Sequence, residues 1–279
     1  MQTMNFQQLI SAEELTDLIA QRGPLRILDC RARLDDSTWG ARAFARGHIP
    51  GASHLSLEQD LSELSNQGGR HPLPERDAWL HTVRSRGILN NDQVVVYDDA
   101  GGTIAARAWW MMRWLGHPRV AVLDGGLPAW TGPLSTHDHV KAHSQFQARQ
   151  PLTRWVDTHQ LETLHAEGAI RLIDARARAR FAGEEEPIDP VAGHIPGAIS
   201  LPCLDNLDSS GHFKSAQDLA QRFAAIGGDP MVCYCGSGIT ATHNILALLV
   251  AGFAEPTLYP ASWSGWIEDP SRPVATTLP

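Results

Sequence analysis

The chain has 279 residues, 43% of them hydrophobic and 19% charged, which is the make-up of a soluble globular protein with room for one large domain or two ordinary ones. A formal charge of -8 speaks against nucleic acid or an anionic membrane surface as the main partner. The four cysteines (Cys30, Cys203, Cys233 and Cys235) show no CxxC pair and no zinc spacing, so neither a metal site nor a disulfide between Cys233 and Cys235 is expected. The opening residues MQTMNFQQLISAEELTDL lack the basic-then-apolar order of a signal peptide, and no apolar run is long enough to span a membrane. The expectation is a cytoplasmic, thiol-bearing protein.

In chain order, Ser11 followed by Glu14 forms a capping box, which predicts a helix from about Ser11 to Gln21 with Leu15, Leu18 and Ile19 on its apolar side. Leu25 to Asp29 reads as a strand, and Phe44 opens a short segment that leads to His48-Ile49-Pro50-Gly51-Ala52. A helix from about Arg76 to Arg86, a strand over Val94 to Tyr97, a Trp-rich helix over Ile104 to Leu115 and a strand over Val120 to Leu123 follow. Gly125-Gly126-Leu127 and Trp130 close the unit.

The second half repeats this order. Ile27-Leu28-Asp29-Cys30-Arg31 returns as Leu172-Ile173-Asp174-Ala175-Arg176, and His48 to Ala52 returns unchanged as His194-Ile195-Pro196-Gly197-Ala198. Tyr97-Asp98 pairs with Tyr234-Cys235, and Trp130 with Trp266. Solenoid repeats recur every 20–50 residues or so, so ordered matches half a chain apart indicate two copies of one domain. The division expected is 1–133, a polar and unpatterned linker over 134–152, and 153–279. Strands alternating with helices imply a parallel sheet in each copy, with ligands at the carboxyl ends of the strands.

Cys235 falls at such an end. Met231 to Tyr234 reads as a buried strand, Cys235-Gly236-Ser237-Gly238-Ile239-Thr240 as a tight loop, and the residues from Thr240 as a buried helix closed by Gly252. Backbone N–H groups converge between a strand end and a helix start, and the helix dipole favours an anion there. Those conditions favour a nucleophilic thiol. A lone cysteine is more often a small buried hydrophobe, but Gly236 and Gly238 let the backbone approach a ligand in a way that packing does not require. The first copy has Asp98 at this position, so only the second can do thiol chemistry.

Taken together, the Asp-x-Arg strand ends, the paired His-Ile-Pro-Gly-Ala segments, Tyr97-Asp98, the run Asp124 to Trp130, the cysteine loop and Ser262-Trp263 with Trp266 resemble the two-domain rhodanese (sulfurtransferase) family over essentially the whole chain. The resemblance implies an α/β fold of two tandem rhodanese-like domains, each a mostly parallel sheet flanked by helices, the first inactive and the second carrying the cysteine. The loop is similar to that of the 3-mercaptopyruvate branch, whereas thiosulfate enzymes carry a Cys-Arg-Lys-Gly type of loop. Thiosulfate is a compact dianion suited to cationic side chains, and a loop without charged side chains suits a single developing negative charge.

The same resemblance implies that Cys235 is the nucleophile, with Gly236, Gly238, Ile239 and Thr240 cradling the transferred sulfur. It implies that Arg176 and Arg180 hold the donor's carboxylate and carbonyl, although Arg176 is equally readable as an anchor for Asp174. A relay of Ser237, His71 and an acid is also implied, the acid being Glu58, with Asp60 close enough to compete. His71 is otherwise a surface histidine beside a Gly-rich turn, and Ser237 a hydroxyl bracing the loop. The reaction implied passes a sulfane sulfur through a Cys235 persulfide to cyanide or a thiol such as thioredoxin, and needs no cofactor. Thiosulfate as donor, or a non-catalytic binding module, are the alternatives. A phosphatase is disfavoured, because Ala241 stands where its arginine would be. The closing segment Pro260-Ala261-Ser262-Trp263-Ser264-Gly265-Trp266 departs from the family's Asp-Gly-Ser-Trp-x-Glu-Trp, which leaves open how it braces the active loop, and its two Trp are expected to pack rather than bind.

Overall fold

The strands are short apolar runs cut off by an acid, a tyrosine or a turn, and the helices between them return the chain so that neighbouring strands are parallel. The computed structural model describes residues 5–63, 65, 67–138, 142–227 and 230–276. The chain divides into two compact units. One is built from the residues up to Glu63, from Pro74 to Leu152 and from Ser209 to His212, and the other from the remainder.

The first unit contains β1 (Leu9–Ile10), α1 (Ala12–Gln21), β2 (Leu25–Asp29), α2 (Trp39–Arg46), β3 (Ala52–His54), α3 (Arg76–Ser85), β4 (Gln93–Tyr97), α4 (Ala105–Trp114), β5 (Val120–Leu123) and α5 (Gly126–Ala129). Its sheet runs β1-β5-β4-β2-β3, every pairing parallel. The expected capping box opens α1, with the Glu14 N–H donating to Ser11 Oγ and the Ser11 N–H to Glu14. Ile27, Val95 and Tyr97 on one face of the sheet pack with Leu15 of α1 and Phe44 of α2. Their alternates Leu28, Val94 and Val96 are equally buried, so both faces are covered and the strands read as unbroken apolar runs.

The second unit contains α6 (Thr158–Ala166), β6 (Arg171–Asp174), α7 (Arg178–Ala182), β7 (Ile199–Ser200), α8 (Ala216–Phe223), β8 (Met231–Tyr234), α9 (Thr240–Val250), β9 (Thr257–Leu258) and α10 (Ser262–Trp266). Its sheet runs β7-β6-β8-β9, again all parallel. A single parallel bridge from Trp155 to Leu258 stands where the first unit has its edge strand β1. Leu161, Leu172, Phe181, Val232 and Tyr234 form its core with Trp263 and Trp266 of α10. Both tryptophans are therefore packing residues, as the sequence suggested.

The repeat holds at the level of register. Asp29 lies opposite Tyr97, and Asp174 opposite Tyr234. His48 stacks on Phe44 and His194 on Phe181, and in each case Nδ1 lies within hydrogen-bonding distance of that phenylalanine's carbonyl. The conserved-looking His-Ile-Pro-Gly-Ala segments are thus architecture.

Three chain segments depart from a simple division by sequence, one of them Ser209–His212, which belongs to the first unit. Of the polar stretch read as a linker, residues 139–141 lie outside the described residues. The described part from 142 onward is tied to the first unit by a fully buried Phe146 and by N–H bonds from Ser144 to the Arg84 carbonyl and from Arg149 to the Leu115 carbonyl. The stretch carrying Arg70 and His71 belongs to the second unit, although the sequence before and after it builds the first.

Candidate active site

The site begins where β8 ends. Register sets Tyr234 beside Asp174, and the Tyr234 hydroxyl accepts the Ile195 N–H at 3.2 Å. Asp174 is gripped by Arg176, whose Nε lies 3.0–3.1 Å from both carboxylate oxygens and whose Nη2 lies 2.7 Å from Oδ2. Nη2 also donates to the Gly193 carbonyl at 2.7 Å, and the guanidinium lies over the Trp263 ring. In the first unit Arg31 does the same with Asp29 and the Gly47 carbonyl. An arginine that plays one role in both copies, with its side chain 2% exposed here, is an anchor. Of the two readings of Arg176, the anchor for Asp174 is the one this geometry displays. Burial opposes its charge, but Asp174 and Glu186 more than offset that and raise its pKa.

Beyond Tyr234 the chain curls into the loop. Cys235 is 2% exposed, and the Gly238 N–H lies 3.1 Å from its sulfur. Gly238 has φ +78°, and a Cβ there would sit 2.3 Å from the Pro260 carbonyl oxygen, so only glycine fits. Ile239 caps α9 and Thr240 opens it, which aims that helix's first N–H groups at the loop. The Thr240 hydroxyl, however, engages the Cys203 thiol. Burial pushes Cys203 up to about 12 and raises Cys233 and Cys30 further still, which keeps all three protonated.

The closing segment braces this loop. The Cys235 N–H donates to Ser262 Oγ at 3.0 Å, and the Trp263 and Ser264 N–H groups donate to the Cys235 and Gly236 carbonyls at 2.9 Å. Ser262 has φ +55°, uncommon for a residue with a side chain, and its hydroxyl in turn donates to the Tyr259 carbonyl. Serine hydroxyls and backbone amides thus do the bracing where the family pattern has a glutamate. The sequence had left open how this segment, without that glutamate, braces the loop.

The segment 67–73 lies against the same brace. Gly69 has φ +89°, and a Cβ on it would lie 2.5 Å from the Ala261 carbonyl oxygen. Its N–H donates to Glu268 at 2.7 Å, and the Arg70 N–H to Ser264 Oγ at 3.1 Å. This docking places His71 Nδ1 2.8 Å from Ser237 Oγ, with Ser237 itself buried. Cys235, Ser237 and His71 are therefore brought together within one unit. Glu58 belongs to the first unit, where burial raises its carboxyl pKa. Asp60, in the same unit, accepts the Ser56 N–H and pairs with Arg86.

Charge at the loop comes from outside it. A Cβ on Gly236 would stand 2.9 Å from Arg70 Nη2 and 3.5–3.6 Å from the two terminal nitrogens of Arg180. Arg180 is itself held by Glu186 at 2.6 Å and Asp189 at 2.9 Å. Burial would raise the Glu186 carboxyl, but the hydrogen bond from Arg180 and the N–H groups of Asp189 and Ile188 win and lower it. For Asp189 burial wins, helped by repulsion from Glu186, and its carboxyl is raised despite Arg70, Arg180 and Arg176. The inference that this loop meets its ligand with amide dipoles alone is therefore overturned. Two guanidinium groups flank Gly236, and Arg70 was missed because nothing in a Gly-Gly-Arg-His stretch says what it docks against.

In the first unit the equivalent position carries a built-in anion. The Asp98 carboxylate accepts the N–H groups of Ala100, Gly102 and Ile104 at 2.8 Å and of Ala105 at 2.9 Å. This turn between strand and helix is an anion cradle, filled permanently by a side chain in one copy and presenting a thiol in the other.

Two parallel α/β units with one cradle cysteine define a tandem rhodanese-type protein. The chain belongs to that family: the rhodanese-like domain matches it twice, over residues 11–133 and 157–269. A probable 3-mercaptopyruvate sulfurtransferase of Pseudomonas aeruginosa is 44% identical, the match covering 98% of this chain and 99% of that one. A putative thiosulfate sulfurtransferase, SseB, of Mycobacterium tuberculosis is 42% identical, with 96% of each chain covered. Among solved structures, SseA from Escherichia coli, described as a 3-mercaptopyruvate sulfotransferase, superposes with a TM-score of 0.80 at 30% identity, covering 94% of this chain and all of that one.

Proposed function

We propose that this chain is a sulfurtransferase that takes the sulfur of 3-mercaptopyruvate onto Cys235 and passes it to a thiol or to cyanide. The observation that carries this reading is the Cys235–Ser237–His71 cluster, with its sulfur under the Gly238 N–H and its hydroxyl 2.8 Å from an imidazole nitrogen.

The Cys235 thiolate attacks the donor's sulfur and the carbon–sulfur bond breaks, its electron pair going to the carbon as the enolate of pyruvate. Ser237, positioned by His71, delivers the proton that turns the enolate into pyruvate. What remains is a Cys235 persulfide, whose outer sulfur carries the negative charge. The loop amides suit that charge, as the Asp98 carboxylate on the matching amides of the first unit illustrates. An acceptor thiolate, such as that of reduced thioredoxin in a cytoplasmic setting, or cyanide then attacks the outer sulfur and releases Cys235. Every step uses groups of the chain and its two substrates.

Thiosulfate as donor is a second reading with its own support. Arg70 and Arg180 beside Gly236 supply the cationic surroundings that a dianion wants, and the Mycobacterium tuberculosis relative carries that activity in its name. Mass spectrometry of the intact protein after donor treatment tests both readings. One added sulfur, absent in Cys235→Ala, is expected, with a higher kcat/KM for 3-mercaptopyruvate than for thiosulfate. No adduct from either donor would rule out the persulfide route, and a preference for thiosulfate would exchange the two readings.

A further inference from the structure

Ser262 and Gly126 hold the same place in the two copies. The Leu127 N–H donates to the Asp98 carbonyl at 2.7 Å and the Trp263 N–H to the Cys235 carbonyl at 2.9 Å, which matches the residues just before the two donors. Both have positive φ, Gly126 at +60° and Ser262 at +55°. Glycine takes that backbone without penalty, and a residue with a Cβ does not. Among the described residues, the other non-glycine residue with positive φ is Arg22, an exposed helix C-cap. Ser262 is fully buried. The copy with the nucleophile thus carries a side chain where the copy without it has glycine.

That side chain has a defined task. Ser262 Oγ accepts the Cys235 N–H at 3.0 Å and donates its own proton to the Tyr259 carbonyl at 3.0 Å. Together with the Trp263 bond, this holds both backbone polar groups of Cys235 by consecutive residues at the start of α10. The two copies differ in their need for such a grip. In the first, four backbone N–H groups converge on the Asp98 carboxylate and orient it directly. In the second, the Cys235 sulfur meets the Gly238 N–H at 3.1 Å, and sulfur is a weak acceptor. The direction of the thiol therefore depends on the peptide that carries it. Backbone strain persists where the surrounding structure holds it in place, and it clusters at working sites.

We propose that Ser262 is a positioning residue for the nucleophile. Its hydroxyl fixes the Cys235 peptide so that the sulfur, and then the outer sulfur of the persulfide, stands under the loop amides, and the left-handed backbone is tolerated for the sake of that hydroxyl. The proposal rests on the sulfurtransferase reading of Cys235. Ser262 acts through Cys235 and not on the donor.

Two variants of the full chain separate the hydroxyl from the backbone that carries it. Ser262→Gly removes the hydroxyl and relieves the backbone, while Ser262→Ala removes the hydroxyl and keeps the strain. Ser262→Gly is expected to unfold at a higher urea concentration than Ser262→Ala. Despite that difference, both are expected to lower kcat for 3-mercaptopyruvate alike, roughly tenfold or more, with KM within about threefold of wild type. That split marks a misplaced nucleophile with donor binding intact.

A second readout does not depend on turnover. The loop amides favour the thiolate, so a displaced sulfur alkylates more slowly, and the iodoacetamide rate at Cys235 is expected to fall roughly threefold or more in both variants. Wild-type kcat and alkylation rate in Ser262→Gly would overturn the proposal, because the loss in Ser262→Ala would then follow the strain and not the hydroxyl. Equal urea midpoints for the two variants would overturn the claim that the backbone is strained for the hydroxyl. If the wild-type chain forms no persulfide, the sulfurtransferase reading fails, and the alkylation rates alone still decide whether Ser262 places the sulfur.

Discussion

His71 and Ser237 stand 166 residues apart in the chain, yet Nδ1 of one lies 2.8 Å from Oγ of the other. The contact exists because residues 67–73 pack on the second unit, pinned by Glu268 and Ser264. Two residues after Asp98 the first copy carries Ala100, where the second carries Ser237 two residues after Cys235, so this contact has no counterpart there.

If this pair moves a proton to the departing enolate, Ser237→Ala and His71→Asn each lower kcat for 3-mercaptopyruvate by roughly a hundredfold, the usual scale for general acid catalysis. The double variant falls no further than about threefold below the single ones, since the two groups act as a unit. Single-turnover pyruvate release measures this. Additive losses would show that Ser237 and His71 work separately.

Gly238 tests the loop's backbone. Its φ of +78° and the Pro260 carbonyl oxygen 2.3 Å from a would-be Cβ leave alanine no place. Gly238→Ala is expected to lower stability by about 2 kcal/mol or more in urea titration and to abolish persulfide formation, because the N–H over the sulfur moves. Unchanged stability would mean that the loop can relax without cost.

The Asp98 carboxylate takes, in the first unit, the place that Cys235 has in the second. Asp98→Asn keeps the shape but replaces an acceptor oxygen by an NH2 that confronts backbone N–H groups. A loss of about 2–4 kcal/mol is expected, since a buried network loses charge-assisted bonds and gains a donor–donor clash. Urea unfolding of the variant measures it. A change below about 0.5 kcal/mol, the size of an ordinary surface effect, would show that the cradle tolerates a neutral occupant.

His117 sets a pH limit on stability. Burial, against the Phe146 ring among others, pushes its pKa down to about 4. An unfolded chain titrates this group near 6.5, so between about pH 6.5 and about pH 4 the unfolded state binds a proton that the folded state refuses. Stability therefore falls as pH is lowered through that window, by up to about 3 kcal/mol from this residue. His117→Gln is expected to flatten part of the fall in urea midpoint between about pH 7 and about pH 4.5. A fall of unchanged size would assign the slope to other groups.

Local order was largely readable in the chain. β2, β5 and β8 begin and end at the residues expected from their apolar runs, and α1 opens on the expected capping box. These features depend on neighbours within one or two turns, so spacing is enough to reveal them. The same holds for the loop that carries Cys235, since strand, glycines and helix are contiguous. Arg176 shows the limit. Its motif was plain, but whether its fork faced a ligand or Asp174 depended on burial, which composition does not report.

By itself, then, the sequence determined the two-copy α/β fold, the single cradle cysteine and the asymmetry between Asp98 and Cys235. Only the tertiary structure decided what surrounds that cysteine. The brace of Ser262 and Ser264, the docking of residues 67–73, and the guanidinium groups of Arg70 and Arg180 beside Gly236 all join residues distant in the chain. Such pairings follow from how packed elements close on one another, and no periodicity records them. Local sequence writes the cradle cysteine and its amides. The charge and the His71–Ser237 contact around them come from packing.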